Sequence, residues 1–208
     1  NNKPAPKYLN KFVYALLLII NYFIMNTIKD HCLISIPHMI DTLFEKSVVY
    51  ICEHNSEGAM GLIINKPISQ IEINSIMQNN NNLKDDIKIH DKKTFLGGPV
   101  LIEKMIVLHS NEITTTNTIP ISNSISITSH KNIMKKIYKI EDVKYKIFLG
   151  HSGWRKGQLE REIKNGDWLI QKSSNDLIFD MPKESIWEHA TKSLGIEINH
   201  ISNTSGSA

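Results

Sequence analysis

The stretch SVVYICEHNSEGAMGLIINKP, Ser47 to Pro67, decides the fold. Ser47–His54 is rich in β-branched and aromatic side chains, which suit a pleated surface and mark a strand. Asn55-Ser56-Glu57-Gly58 supplies turn chemistry. Ala59–Asn65 forms a second strand, stopped by Lys66-Pro67 because proline offers no N–H to a ladder. Together these residues predict a β-hairpin. Gly61, inside the second strand, predicts a bulge or a close backbone approach.

Working outward, Cys32–Ile36 reads as a short strand ended by Pro37, and Met39–Lys46 as a loop or one helical turn. Ser69 and Glu72 have the spacing of a capping box. They open a helix over Gln70–Gln78 with Ile73, Ile76 and Met77 on one face. Residues 79–93 read as an exposed loop. Thr94–Leu96 leads into the sharp loop Gly97-Gly98-Pro99, and Met105–His109 is a strand. Glu112–Ser124 reads as a loop. Ser124–Thr128 alternates serine or threonine with isoleucine, the mark of a half-buried strand. Ser129 caps a helix near Lys131–Tyr138.

Tyr145–Leu149 is a further strand, followed by the loop Gly150-His151-Ser152-Gly153-Trp154. A helix over Gly157–Lys164 places Leu159 and Ile163 on one face and stops at Gly166. Asp167–Gln171 and Leu177–Phe179 read as short strands. Asp180 caps a final helix with Pro182 in its first turn and a stripe of Trp187, Ala190 and Leu194. Strands and helices intersperse without regular βαβ alternation, which favours an α+β fold over a doubly wound sheet.

The chain has 208 residues, 41% apolar and 22% charged, enough to fill a core. Its net charge of +3 permits an acidic partner without arguing for one. Only Arg155 and Arg161 are arginines among the 24 basic residues. Lysine is a point charge and lacks the fork that reads phosphates and bases. Isoleucine, asparagine and lysine are all abundant, as a coding bias would make them, so lysine clusters are discounted. Cys32 and Cys52 lie on apolar strands and read as small core residues of a reducing compartment, with a disulfide or redox pair as the alternative.

Ahead of this domain stands a polar segment with Lys3, Lys7 and Lys11, then the apolar run Phe12 to Ile24. The run is shorter than the roughly 20 residues a spanning helix needs. Three readings are open: a membrane anchor or uncleaved signal-like segment, an extra helix, or upstream sequence before a start at Met25. The last is preferred. It divides the chain into an N-terminal extension, residues 1–24, and a single domain, residues 25–208. Membrane contact is then expected only if residues 12–24 are translated.

Four motifs occur in order: CLISIPHMIDTLFEKSVVYICEHNSEGAMGLIINKP, FLGGPV, FLGHSGWRKGQLEREI and DLIFDMPKESIWEHATKSLGI. In order and spacing they resemble the AlgH/YqgE family over roughly residues 30–198. The resemblance implies a small closed β-barrel with a bifurcated sheet, surrounded by helices. It implies a bacterial, cytoplasmic protein of a family described as transcriptional regulators. That label is genetic and does not establish DNA contact, and the resemblance carries over no catalytic residues.

The residues themselves offer four candidate sites. Trp154, Gln158 and Glu160 either anchor a loop and a helix start or form a binding lip; Gly97 and Gly98 could present N–H groups beside them. The structural use is favoured for both. Lys131, Lys135 and Lys136 begin a basic stretch that continues through Lys139, Lys144 and Lys146. It could follow a phosphate backbone, although Ile133, Met134 and Ile137 make it read as the solvated face of a helix. Gly150-His151-Ser152-Gly153 has the strand-to-helix context of a nucleophile elbow, but Trp154 stands where that turn needs glycine. Glu53 and His54 could serve as acid and base only with a partner the sequence does not supply. No metal-ligand spacing and no cofactor signature occurs. The expectation is therefore a non-enzymatic regulatory or adaptor protein acting by contact with another, unknown protein. Direct DNA or RNA binding, and an enzyme or binder of a small molecule, are the alternatives.

Overall fold

The computed structural model describes residues 27–37, 39, 42–78, 93–130 and 132–195. The expectations for residues 12–24, for Met25 and for the loop at 79–92 fall outside them. Among the described residues nine strands carry the fold: β1 (His31–Ser35), β2 (Val48–Asn55), β3 (Gly58–Ile63), β4 (Thr94–Leu96), β5 (Val100–Ser110), β6 (Thr118–Pro120), β7 (Ile125–Thr128), β8 (Tyr145–Arg155) and β9 (Trp168–Lys172). Four α-helices within the described residues accompany them: α1 (Gln70–Gln78), α2 (Ile133–Ile137), α3 (Gln158–Asn165) and α4 (Lys183–Ser193). The hydrogen-bonded order is β6-β7-β5-β8-β3-β2-β1-β9, with β4 added parallel to β8. All other pairs are antiparallel, and the sheet curls into a half-barrel. This is the coarser form of the expected closed barrel.

The hairpin forms as its sequence predicts, with Val49 opposite Ile63 and Asn55 opposite Gly58. Both readings of Gly61 are realised in one place. The register shifts between Ile51 and Glu53 on the facing strand, and a Cβ on Gly61 would stand 2.8 Å from Val49 Cγ1. Because side chains alternate across a strand, β2 serves two cores. Val48, Tyr50 and Cys52 pack with Ile34, Leu62 and Phe148, while Val49 and Ile51 pack with Leu33, Ile63 and Trp168. A third core joins Ile73 of α1 and Ile133, Met134 and Ile137 of α2 to Val107, Ile147 and Leu149. The capping box of α1 is present: Ser69 N donates to Glu72 Oε2 at 2.8 Å, and Glu72 N to Ser69 Oγ at 3.3 Å.

Several local expectations are corrected. β8 does not stop at Leu149; it runs on to Arg155, so Gly150–Trp154 is strand, held by pairing of Ser152 with Gly61 and Trp154 with Ala59. The loop expected over residues 112–124 contains β6. β7 is buried throughout rather than on one face. Its polar positions are satisfied inside: Ser126 Oγ donates to Asn111 Oδ1 at 2.6 Å, and Thr128 Oγ1 meets His109 Nε2 at 3.0 Å. Residues 176–180 form a π-helical turn, not a strand. Ser174 Oγ accepts the N–H of Leu177 at 3.1 Å, a local bond that competes with an extended chain. Pro182, not Asp180, precedes α4 as its cap. The buried face of α4 is Ile186, Trp187, Ala190 and Thr191, and Leu194 is exposed.

Candidate functional site

FLGGPV and FLGHSG meet at a backbone crossing. Gly97 N donates to Leu149 O at 2.9 Å, while Gly97 O accepts from Ile63 N at 3.0 Å and from the Ser152 hydroxyl at 3.2 Å. A Cβ on Gly98 would lie 2.3 Å from the His151 carbonyl carbon, and one on Gly150 would lie 2.5 Å from Gly98 O. Gly98 and Gly150 also hold positive φ, at 152° and 69°. No larger residue fits either demand. Gly97 and Gly98 are therefore buried against β8, and Ser152, 1% exposed, is committed to Gly97 O inside a strand.

The crossing has a consequence on the neighbouring strand. β5 pairs with β8 at Val100–His151 and resumes only at Met105–Leu149, so the residues between them bulge outward around Gly150. Leu101 sits at φ 50°, and Val100, Leu101 and Ile102 expose 39%, 52% and 37% of their surface. Beside the bulge runs a groove of about 500 Å³ lined by Leu43, Pro67, Ile68, Ile76, Leu96 and Ile102, with Lys66 and Glu72 as its charged members.

Trp154, Gln158 and Glu160 gather around α3, and each is engaged inside the protein. The hub is Glu162, which the sequence reading did not single out. Its Oε2 accepts from Trp154 Nε1 at 2.7 Å and from Trp168 Nε1 at 2.9 Å; its Oε1 accepts from Gln158 Nε2 at 2.9 Å. Gln158 Oε1 in turn accepts the Arg155 N–H at 3.1 Å. The two indoles meet edge to face, with centroids 6.2 Å apart. Glu160 supplies the partner that His54 lacked in sequence, with Nε2 and Oε1 3.0 Å apart. His54 Nδ1 accepts the Ile28 N–H at 3.1 Å, so the neutral ring carries its proton on Nε2, toward Glu160. Both ring nitrogens are occupied, and neither is left to take a proton from a substrate.

The members of the basic stretch have different surroundings. Lys135 and Lys136 are exposed on α2, and Lys136 Nζ donates to Thr114 O at 3.0 Å. Lys131 lies outside the described residues. Lys144 and Lys146 stand on or beside β8 and line a cavity of about 550 Å³. Lys146 is the surprise: it is 6% exposed, and burial pulls its pKa down to about 8. Its sequence signal was a charged residue in KYKIFLG sharing the strand face of Phe148.

Cys32 and Cys52 are buried free thiols. Burial pushes Cys32 up to about 12 and Cys52 higher, which keeps both protonated and unreactive. Among the described residues, no group of three or more His, Cys, Asp or Glu side chains could hold a metal, and no helix is long and apolar enough to cross a membrane.

A profile of the AlgH-like family (DUF179) matches residues 32–199. The chain belongs to the AlgH-like family. Among its relatives, a UPF0301 protein of Shewanella denitrificans is 37% identical over 187 residues, covering 88% of this chain and 99% of the relative. Another, from Proteus mirabilis, is 40% identical over 183 residues, covering 86% and 98%. The solution structure of the AlgH protein from Pseudomonas aeruginosa superposes with a TM-score of 0.65 at 30% identity, over 88% of this chain and 97% of that one. A Corynebacterium diphtheriae protein shares the fold at a TM-score of 0.61 and 18% identity, over 79% and 85%. The molecular function of the AlgH-like family is uncharacterised.

Proposed function

We propose that this AlgH-like chain is a non-enzymatic regulatory or adaptor protein of the bacterial cytoplasm, acting by contact with another protein. The observation that supports this reading is the bulge at Val100, Leu101 and Ile102. The backbone crossing of Gly97, Gly98 and Gly150 holds three apolar side chains outward beside an apolar groove. Contiguous exposed apolar surface on a soluble domain marks contact sites, and its desolvation drives association. The occupant is a protein segment that sets apolar side chains into the groove, with Lys66 and Glu72 at its charged edge.

The test is affinity capture of the full chain from its host, with and without nuclease. Paired captures use wild type and the double variant Leu101→Glu, Ile102→Glu, with thermal denaturation showing both folded. Specific proteins held by wild type and lost from the variant are the expected result. Identical captures from both proteins overturn the groove as the contact surface. Material lost on nuclease treatment, and on replacing Lys135 and Lys136, moves direct DNA or RNA binding forward.

A further inference from the structure

Lys146 sits where β8 is otherwise apolar, between Tyr145 and Ile147, with its side chain almost wholly out of water. Its ammonium donates to Ile64 O at 3.1 Å and lies 4.6 Å from the centroid of the Phe95 ring. One carbonyl and one ring face leave donor capacity on a group with three N–H bonds. A buried ammonium is costly unless it is paired, and a lysine kept beside a cavity invites a counter-anion.

The cavity beside it has the size and lining of a small-molecule site. Phe95, Tyr145, Phe179 and Met181 give it flat and adaptable apolar walls. Among the described residues, four ammonium groups line it, those of Lys93, Lys144, Lys146 and Lys183, against the carboxylates of Asp180 and Glu184. Lys144 is bound to Asp180 at 2.5 Å, and Lys183 stands 3.8 Å from Glu184. Lys93 lies over the Tyr145 ring at 4.1 Å. Among the described residues, the ammonium groups of the lining without a carboxylate partner are those of Lys146, on the strand, and Lys93, over an aromatic wall.

We propose that this cavity binds a small organic anion with an aromatic body, its anionic group held by Lys146 and Lys93 and its ring lying against Phe95, Tyr145 and Phe179. The site shares no lining residue with the groove at Ile102 and does not depend on the contact function. An incoming anion favours the charged form of Lys146, so binding takes up a proton wherever the free protein has begun to lose it. The other charged groups facing Lys146 across the cavity are Lys93, Lys144, Lys183, Asp180 and Glu184, with Tyr145 beside it; burial raises the Tyr145 pKa.

The experiment is calorimetric titration of the full chain with naphthalene-1-sulfonate, which joins an aromatic body to an anion. Inorganic phosphate serves as the anion alone and 1-naphthalenemethanol as the ring alone. The expected result is saturable, one-to-one binding of the sulfonate, stronger than either control. Lys146→Met should weaken it about tenfold or more, the worth of one charge-assisted hydrogen bond. Lys135→Met, on α2 and not part of the lining, should leave it unchanged. Affinity for wild type should fall by up to about tenfold per pH unit above about pH 8. If Lys146→Met does not fold, amine labelling of wild type read by mass spectrometry replaces it, with the sulfonate expected to shield Lys146. Absence of saturable sulfonate binding, equal affinity in Lys146→Met, no shielding of Lys146, or equally strong binding of either control overturns the proposal.

Discussion

Two polar clusters of this protein invite comparison: the corner around Glu162 and the cavity around Lys146. Both place a charged side chain among aromatic rings. At the corner every strong donor has an acceptor: two indoles and one amide converge on a single carboxylate, and His54 spends both ring nitrogens on Ile28 and Glu160. At the cavity an almost fully buried ammonium has one carbonyl acceptor and faces open space. A closed network rigidifies a fold, whereas a buried charge with spare donors beside a cavity is a place for a ligand. The most distinctive motif in the sequence is thus engaged in building, while the less conspicuous lysine is the better binding candidate.

The harshest way to break this comparison is Glu162→Ala. It leaves the Trp154 and Trp168 N–H groups buried without an acceptor, and should cost about 4 kcal/mol. For a domain of this size that lowers the melting temperature by roughly 10 °C. Glu162→Gln, which keeps one accepting oxygen, should recover about half. A loss below about 1 kcal/mol for alanine would mean the corner is not a structural hub. Trp154, Gln158 and Glu160 would then return as a binding lip.

The cavity makes a prediction of opposite sign. The folded Lys146 has a pKa of about 8, below its ordinary 10.5. Below about pH 8 both folded and unfolded states are charged, and the fold bears the full cost of burying that charge. Between about 8 and 10.5 the folded state sheds its proton first, so this cost shrinks as pH rises. Lys146→Met should therefore gain stability relative to wild type below pH 8. That advantage should shrink by about 3 kcal/mol on going to about pH 10.5. Cys32, Cys52 and Tyr50, whose pKa values burial raises, lose stability at high pH in both proteins and cancel in the comparison. Denaturant titrations at several pH values measure the gap, and a gap independent of pH would contradict a strained lysine.

The smallest effect sharpens the contrast. His54→Gln can still accept the Ile28 N–H but cannot also reach Glu160. It should cost about 1 kcal/mol, or roughly 3 °C in melting temperature, and leave sulfonate binding untouched.

Local signals were legible where one short range of sequence settles the matter. The hairpin, the Ser69–Glu72 box and the helix ended by Gly166 follow from turn chemistry, capping and positive φ. Legibility ended where distant residues decide. Leu177–Phe179 has strand composition but turns helically because Ser174 bonds locally to it. Gly150–Trp154 has loop composition but stays extended because β3 pairs with it. Glu162 was one acidic residue on an amphipathic helix until Trp168, from the next strand, arrived on it.

By itself the sequence determined the family, the α+β class and the hairpin, because hydrophobic period, turn residues and motif order are properties of neighbours along the chain. Only the tertiary structure decided which polar residues are used up and which remain available. Hydrogen-bond satisfaction and burial depend on partners such as Ile64 with Lys146, Glu160 with His54 and Gly98 with Gly150, which the chain brings together from far apart.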